Sequence, residues 1–588
     1  MKAKKLNAQN SKFKKSLSTF YSALFFAKDI SGVTSKRFRA FLSGKIMKLF
    51  ATVVKSIANT SSRFFGIALL TFGAAVMIMH MARYYLGEIL AVSIPTAITA
   101  GVFMLLSVPF LISKQPVAIA FQKNRITDFI LFEFFALNRM TKNDSVRTLH
   151  PAFGLFLGLI PAVCAYFFPL RYVVIAIAAV LFWSVSMISP EFPIMFSLLL
   201  LPYLNIIPFS GELLALISIV AFISFARKVL IGKRVYALEL SGILMLVFAL
   251  LIVIFAFADG SLLSKKNAII LASLILAYIP LSNIIVNRRL AICAVNAIVV
   301  SMLPVAIGSI AEYLIAVFTR AHAPSTFFFS DSASLAAFLM VAALFTAFFV
   351  VERTQNSIKA LYTVLLGIYI AAIITTECVP VIVVLLLLFP AYLVIRSLSI
   401  PRELLLLIAF LPIGIFFIPD AILTRVSSFF FAMPDLVAIK AELYESLLLF
   451  RDNIFIGVGA DAVTDAGISY GGTSISWLLC NFGIFATILL LVVFLIRMRQ
   501  FSVFSIYRSS SNVSNFISMG NLAAFALVVL GMFYNIFSGI EVFYLFISAI
   551  GVSSAAIRIS KRDHDDRLGY YGDQSSIDSS AVDVLLRH

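Results

Sequence analysis

From Phe64 to Ile557 the chain alternates long apolar runs with short polar breaks. A run of ~20 apolar residues is what a helix needs to cross a bilayer, and a helix satisfies its own backbone inside lipid. The runs lie at 64–84, 89–112, 152–169, 171–189, 192–208, 209–226, 236–257, 268–286, 290–317, 333–351, 358–375, 379–397, 403–419, 474–496, 519–536 and 539–557. Strands of a membrane barrel would alternate apolar and polar residues, and these runs do not. The pattern predicts an all-α, polytopic transmembrane bundle of about 14–16 membrane helices. A shorter apolar stretch, 126–138, carries Phe129, Phe132, Phe134 and Phe135 and reads as an interfacial helix in a loop.

Composition agrees with that reading. The hydrophobic fraction is 61% and the mean hydropathy +1.04, more apolar surface than a soluble chain of 588 residues could hide. Residues 64–557 form the membrane domain, between a basic arm (1–63) and a polar tail (558–588) expected to be disordered. The arm from Phe13 to Phe50 reads as amphipathic helices on an anionic membrane surface, or as a basic arm that only fixes orientation. It is too long and too basic for a cleavable signal peptide.

The net charge of +18 changes the picture only through its placement. Basic residues gather in alternate loops: Lys114 to Arg147, Arg227 to Arg234, Arg288 and Arg289, Arg353 and Lys359, Arg396 and Arg402, Arg497 to Arg508, and Arg558 to Arg562. That is the bias of cytoplasmic loops, so it predicts cytoplasmic termini and argues against nucleic acid as a partner. Lys265 and Lys266 are the exception, on the outer side. Cys164, Cys293, Cys378 and Cys480 are scattered, with no metal-ligand or disulfide spacing.

One outer segment, 420–473, is far longer than the other loops. It holds Arg425, Lys440 and Arg451 with Asp420, Asp435, Glu442, Glu445, Asp452, Asp461 and Asp465. A smaller outer loop carries Arg320, His322 and Asp331. Long loops in compact membrane domains usually work. Outer cations can bind a phosphate or pyrophosphate, and neighbouring carboxylates can deprotonate a hydroxyl. Ordinary solvated ion pairs would look the same.

Residues 440–459 run from Lys440 through Glu442, Tyr444, Arg451 and Asn453 to Gly457-Val458-Gly459. This resembles the O-antigen ligase and polymerase superfamily, in which an Arg-x-x-x-Trp helix precedes a Pro-x-x-Gly-x-Gly turn in a large periplasmic loop. Lys440 and Tyr444 take the Arg and Trp places, and Ile454 replaces the proline. Thr473-Ser474 through Asn481-Phe482-Gly483 is similar to the family's His-Asn entry to the next helix, with Gly472 at the histidine. Thr326-Phe327 to Asp331, Ser334 and Ala336 resembles a further helix entry, and Thr375-Thr376-Glu377-Cys378 stands where members have Ser-Arg-Gly. The resemblance covers about 320–497.

It implies a GT-C-like membrane glycosyltransferase of the bacterial cytoplasmic membrane. Its partners would be a polyprenyl-diphosphate-linked glycan, a glycan or lipid acceptor, and membrane lipids. Arg425, Lys440, Arg451 and Arg320 would hold the pyrophosphate and stabilise charge on the leaving group. Asp461 would be the base, with Asp465 and Glu442 as alternatives, and Gly457 and Gly459 would shape the turn. The resemblance implies no cofactor and no metal. Ile468 to Ser474 also resembles a signature of the shape, elongation, division and sporulation glycosyltransferases, but lies much nearer the Gly-x-Gly turn than in that family. A transporter or flippase of lipid-linked oligosaccharide is the alternative of another class.

Overall fold

The structure is a computed structural model. It describes residues 27–30, 52, 56–57, 59–85, 94–135, 137, 150–207, 209–259, 262–285, 288–319, 324–352, 356–386, 446, 448–459, 473–506 and 513–569. Among these, eleven helices are long and apolar enough to cross a membrane. Three shorter apolar helices, Phe153–Phe167, Glu191–Ile206 and Met519–Leu530, accompany them. Each falls on one of the apolar runs in the sequence. The runs at 379–397 and 403–419 lie outside the described residues, except for 379–386, which is helical. The expected interfacial segment is a turn of α-helix, Arg125–Asp128, continued by a π-helix, Phe129–Phe134.

The helices used below are α1 (Ser62–Tyr85), α2 (Ile94–Ile112), α3 (Phe153–Phe167), α4 (Leu170–Ile188), α5 (Glu191–Leu200), α6 (Ser210–Ile231), α7 (Leu240–Asp259), α8 (Leu262–Leu276) and α9 (Tyr278–Ile284). They continue with α10 (Arg288–Phe318), α11 (Ser332–Glu352), α12 (Asn356–Thr375), α13 (Ser474–Ile506), α14 (Val513–Leu530) and α15 (Ile540–Gly569). Contacts divide the chain into two units, with the boundaries inside α5 and α6.

The smaller unit holds α1 to α4 and the end of α6. Helix α1 packs against α2 and α3. The Gly154-x-x-x-Gly158 pair makes the second contact close: a Cβ on Gly154 would lie 2.4 Å from the Phe64 carbonyl oxygen, and one on Gly158 2.3 Å from that of Ala68. Apolar side chains gain nothing by leaving lipid for one another, so close backbone approach is what holds such helices together. The last carbonyls of α4, which a helix cannot satisfy itself, are capped from α6. Ser224 donates to Ser186 at 2.5 Å, Arg227 to Met187 at 2.6 Å, and Lys228 to Ile188. Buried Glu191 pairs with Arg234 and accepts from the Ser189 hydroxyl at 2.9 Å.

The larger unit contains α7 to α15. Helices α11 and α15 lie at its core, with 94% of each apolar window buried; the figure for α12 is 28%. A helix apolar all round fits either environment, so only packing decides which one is central. Two four-residue strands depart from the all-α expectation. β1 (Ala27–Ile30) pairs antiparallel with β2 (Tyr236–Glu239), Ala27 opposite Glu239 and Ile30 opposite Tyr236. That part of the basic arm is therefore a strand, not an amphipathic helix: its backbone pairs with β2. The last helix also runs on to Gly569, into the stretch expected to be a disordered tail.

Where α7 begins and Arg497 of α13 approaches it, charges are buried. Arg497, 1% exposed, donates to Glu239 at 2.7 Å and also to Ser241 and Tyr278. Ser554 donates to the same Glu239 oxygen at 2.9 Å. Arg558 donates to Asn283 Oδ1 at 2.6 Å, and that oxygen also accepts from the Ala237 amide at 2.8 Å. Burial beside Tyr278 and Glu239 pushes the Tyr236 phenol up to about 12. The exceptional Lys266 also has a partner: Glu212 lies 2.5 Å from its Nζ.

Candidate functional site

The opposite end of the larger unit gathers segments far apart in sequence. Asp331 caps α11: its Oδ1 accepts from the Ser334 amide at 2.6 Å and its Oδ2 from the Ser334 hydroxyl at 2.9 Å. The Ser325 amide donates to the Thr375 carbonyl at 3.0 Å, tying the turn before α11 to the end of α12. Thr473 and Ser476 cap each other reciprocally at the start of α13, with amide-to-hydroxyl distances of 3.0 and 3.2 Å. The Ser474 amide donates to the Gly531 carbonyl at 2.7 Å. Its hydroxyl donates to the Tyr534 carbonyl at 3.0 Å and accepts from the Phe537 amide at 3.1 Å. The entry of α13 is thus knotted to the turn between α14 and α15.

Glu541 opens α15 and is 7% exposed. Asn205 Nδ2 donates to it at 3.3 Å. Cys378 is buried beside Tyr534; burial first, with Asp331 adding to it, pushes the thiol up to about 12. A thiol so held is not a nucleophile near neutral pH.

Helix α13 is broken one third of the way along. Gly483 has φ 71° and ψ −177°, outside the helical region. The Gly457-Val458-Gly459 turn fits against the break. Val458 donates to the Cys480 carbonyl at 2.7 Å, Gly459 to the Asn481 carbonyl at 3.0 Å, and Ile484 to the Ile454 carbonyl at 2.9 Å. Both turn glycines have positive φ, 75° at Gly457 and 93° at Gly459. A Cβ on Gly457 would meet the Asn481 carbonyl carbon at 2.5 Å, and one on Gly483 the Phe455 carbonyl oxygen at 2.3 Å. Only glycine combines this approach with this backbone. The non-helical backbone here survives because each segment satisfies the other.

Among the sites expected from sequence, Gly457 and Gly459 are therefore brought to this end. Arg451 is exposed and its Nε lies 3.1 Å from Asp452 Oδ1, the ordinary ion pair that the sequence left open. Arg320, Arg425, Lys440, Glu442, Asp461 and Asp465 lie outside the described residues. Glu541, Asn205 and Ser474 were not singled out for chemistry. Glu541 had a signal, a carboxylate at the entry of an apolar segment. Among the described residues no group of three or more His, Cys, Asp or Glu side chains could hold a metal ion.

Neither protein-family models nor curated proteins match the chain. Helix content and the many apolar helices make it an integral membrane protein of the all-α, polytopic class.

Proposed function

We propose that the protein is a membrane glycosyltransferase. It takes a glycan from a polyprenyl diphosphate and passes it to a hydroxyl of a glycan or lipid acceptor, as a surface-polysaccharide polymerase or ligase. One observation carries the reading. The described residues of the four segments that resemble the O-antigen ligase and polymerase superfamily (326–336, 375–378, 440–459 and 473–485) lie at one end of one helical unit, linked through Thr375, Tyr534, Ser474 and Cys480; 440–445 lie outside the described residues. Chance likenesses scattered over a long apolar chain have no reason to converge.

In this reading the shared end faces outward and the basic loops face the bacterial cytoplasm, with both termini. Arg425, Lys440, Arg451 and Arg320 neutralise the diphosphate as the glycosidic bond to it breaks. Asp461, or else Asp465 or Glu442, takes the acceptor proton. A GT-C-like arrangement would hold the lipid tail along the helices. Positive side chains fill the role of a metal, so transfer persists in chelator.

The break in α13 favours a second reading, because broken helices line substrate sites in transporters. Deleting the gene in the bacterium of origin separates the two. A transferase leaves lipid-linked glycan on the outer leaflet and removes long surface polysaccharide. A flippase leaves the same lipid on the cytoplasmic leaflet, an outcome that would sink the transferase reading.

A further inference from the structure

The turns 324–331 and 376–378 contain two non-glycine residues in the left-handed region, Phe327 (φ 38°) and Glu377 (φ 53°). Such conformations cost roughly 1–3 kcal/mol each and collect where a site needs them. Phe327 is held there on three sides. Its amide donates to Glu312 Oε2 at 2.8 Å, the Ser325 hydroxyl donates to the same oxygen at 2.5 Å, and its ring lies where a Cβ on Gly308 would come within 2.1 Å. The neighbouring Phe328, its ring 4.0 Å from that of Phe327, is 46% exposed.

Beside Glu312 on α10, Tyr313 is 8% exposed, and its hydroxyl has no hydrogen-bond partner among the described residues. Burying a hydroxyl without a partner is costly, so a partner beyond the described residues is the economical explanation. Glu377 lies two residues past Thr375, whose hydroxyl is 2.9 Å from that of Ser309, one turn before Tyr313 on α10. Glu312 uses only Oε2 in the contacts above, and a carboxylate offers about four lone-pair sites.

We propose that Glu312, Tyr313, Phe328 and Glu377 form a subsite for a neutral, hydroxyl-rich sugar ring, the first glycan residues of the donor. The assignment rests on the glycosyltransferase reading. Carboxylates accept from sugar hydroxyls, the Tyr313 hydroxyl gives or takes one further bond, and an aromatic face packs against the C–H face of the ring. Two carboxylates repel a diphosphate, so the charged part of the donor lies elsewhere. Arg425, Lys440 and Arg451 lie in the long loop, in keeping with that division; Arg320 lies in the shorter loop that also holds Phe328.

The test uses full-length protein in nanodiscs and two probes: the bacterium's own polyprenyl-diphosphate-linked glycan, and undecaprenyl diphosphate without sugar. Tyr313→Phe and Glu377→Gln should each weaken binding of the glycan lipid about fivefold to tenfold and leave binding of the bare diphosphate unchanged. Tyr313→Phe removes a hydroxyl without a partner among the described residues, so its melting temperature should not fall. Equal loss for both probes, or no loss for either, overturns the subsite. So does binding that requires calcium and loses that requirement in Glu377→Gln, which would make this a cation site. If wild type binds the glycan lipid through these residues yet transfers nothing to any acceptor in host membranes, the subsite stands and the transferase reading falls.

Discussion

The carbonyl oxygen of Cys480 accepts its hydrogen bond from the amide of Val458, 2.7 Å away, and not from Ile484 one turn along its own helix. Ile484 donates instead to Ile454. A helix and a loop thus exchange backbone partners at Gly483, and the Cys480 thiol on Ser446 and the stacked Phe455 and Phe485 rings add side-chain contacts.

Replacing Gly483 with alanine should disrupt this exchange. The new Cβ would sit 2.3 Å from the Phe455 carbonyl oxygen, at a φ of 71°. A loss of at least ~2 kcal/mol is expected, read as a lower melting temperature in detergent. Gly367→Ala is the control: nothing lies within 4 Å of that Cβ, and alanine favours the helix by about 1 kcal/mol. Equal melting temperatures for the two variants would contradict the docking.

Arg497→Met should cost about 3–5 kcal/mol, because it strands Glu239 without its buried cation. Adding Glu239→Gln should recover much of that loss, since a neutral amide is cheaper to bury than a lone carboxylate. A double variant as unstable as the single one would show that the pair is not the cause.

By contrast, Lys266→Ala should barely change stability. Its partner Glu212 is close, but both side chains are more than a third exposed, and such pairs contribute little. A fall in melting temperature of several degrees would mean that this pair braces the fold.

Cys378 should resist alkylation. With its thiol at about 12 against an ordinary value of 9.0, folded protein at pH 8.5 should react with iodoacetamide at least ~100-fold more slowly than a free thiol. The neutral thiol is the form the fold favours. Its stabilising contribution is full below pH 9.0 and disappears as pH rises towards about 12. Rapid labelling of Cys378 at pH 8 would refute this.

For the proposed chemistry, Arg425→Ala with Lys440→Ala should abolish glycan transfer at normal expression. Losing two cations from a developing diphosphate is expected to slow the reaction by at least ~100-fold. Full activity in the double variant would remove these residues from the site.

The hydrophobic pattern by itself determined the class of this protein and the position of each described membrane helix. Lipid demands long apolar helices, and a local run of residues either meets that demand or does not. The glycines at 457 and 459 were legible for the same local reason, since a motif records a backbone requirement. Tertiary structure alone decided that α11 and α15 are central, because helices apolar all round look alike until packed. It alone turned Arg497 from a topology marker into a buried partner of Glu239, 258 residues away in sequence. It alone put Glu541 beside Asn205 and left the Tyr313 hydroxyl without a partner among the described residues, because such relations belong to pairs of distant residues and have no trace in the local sequence of either.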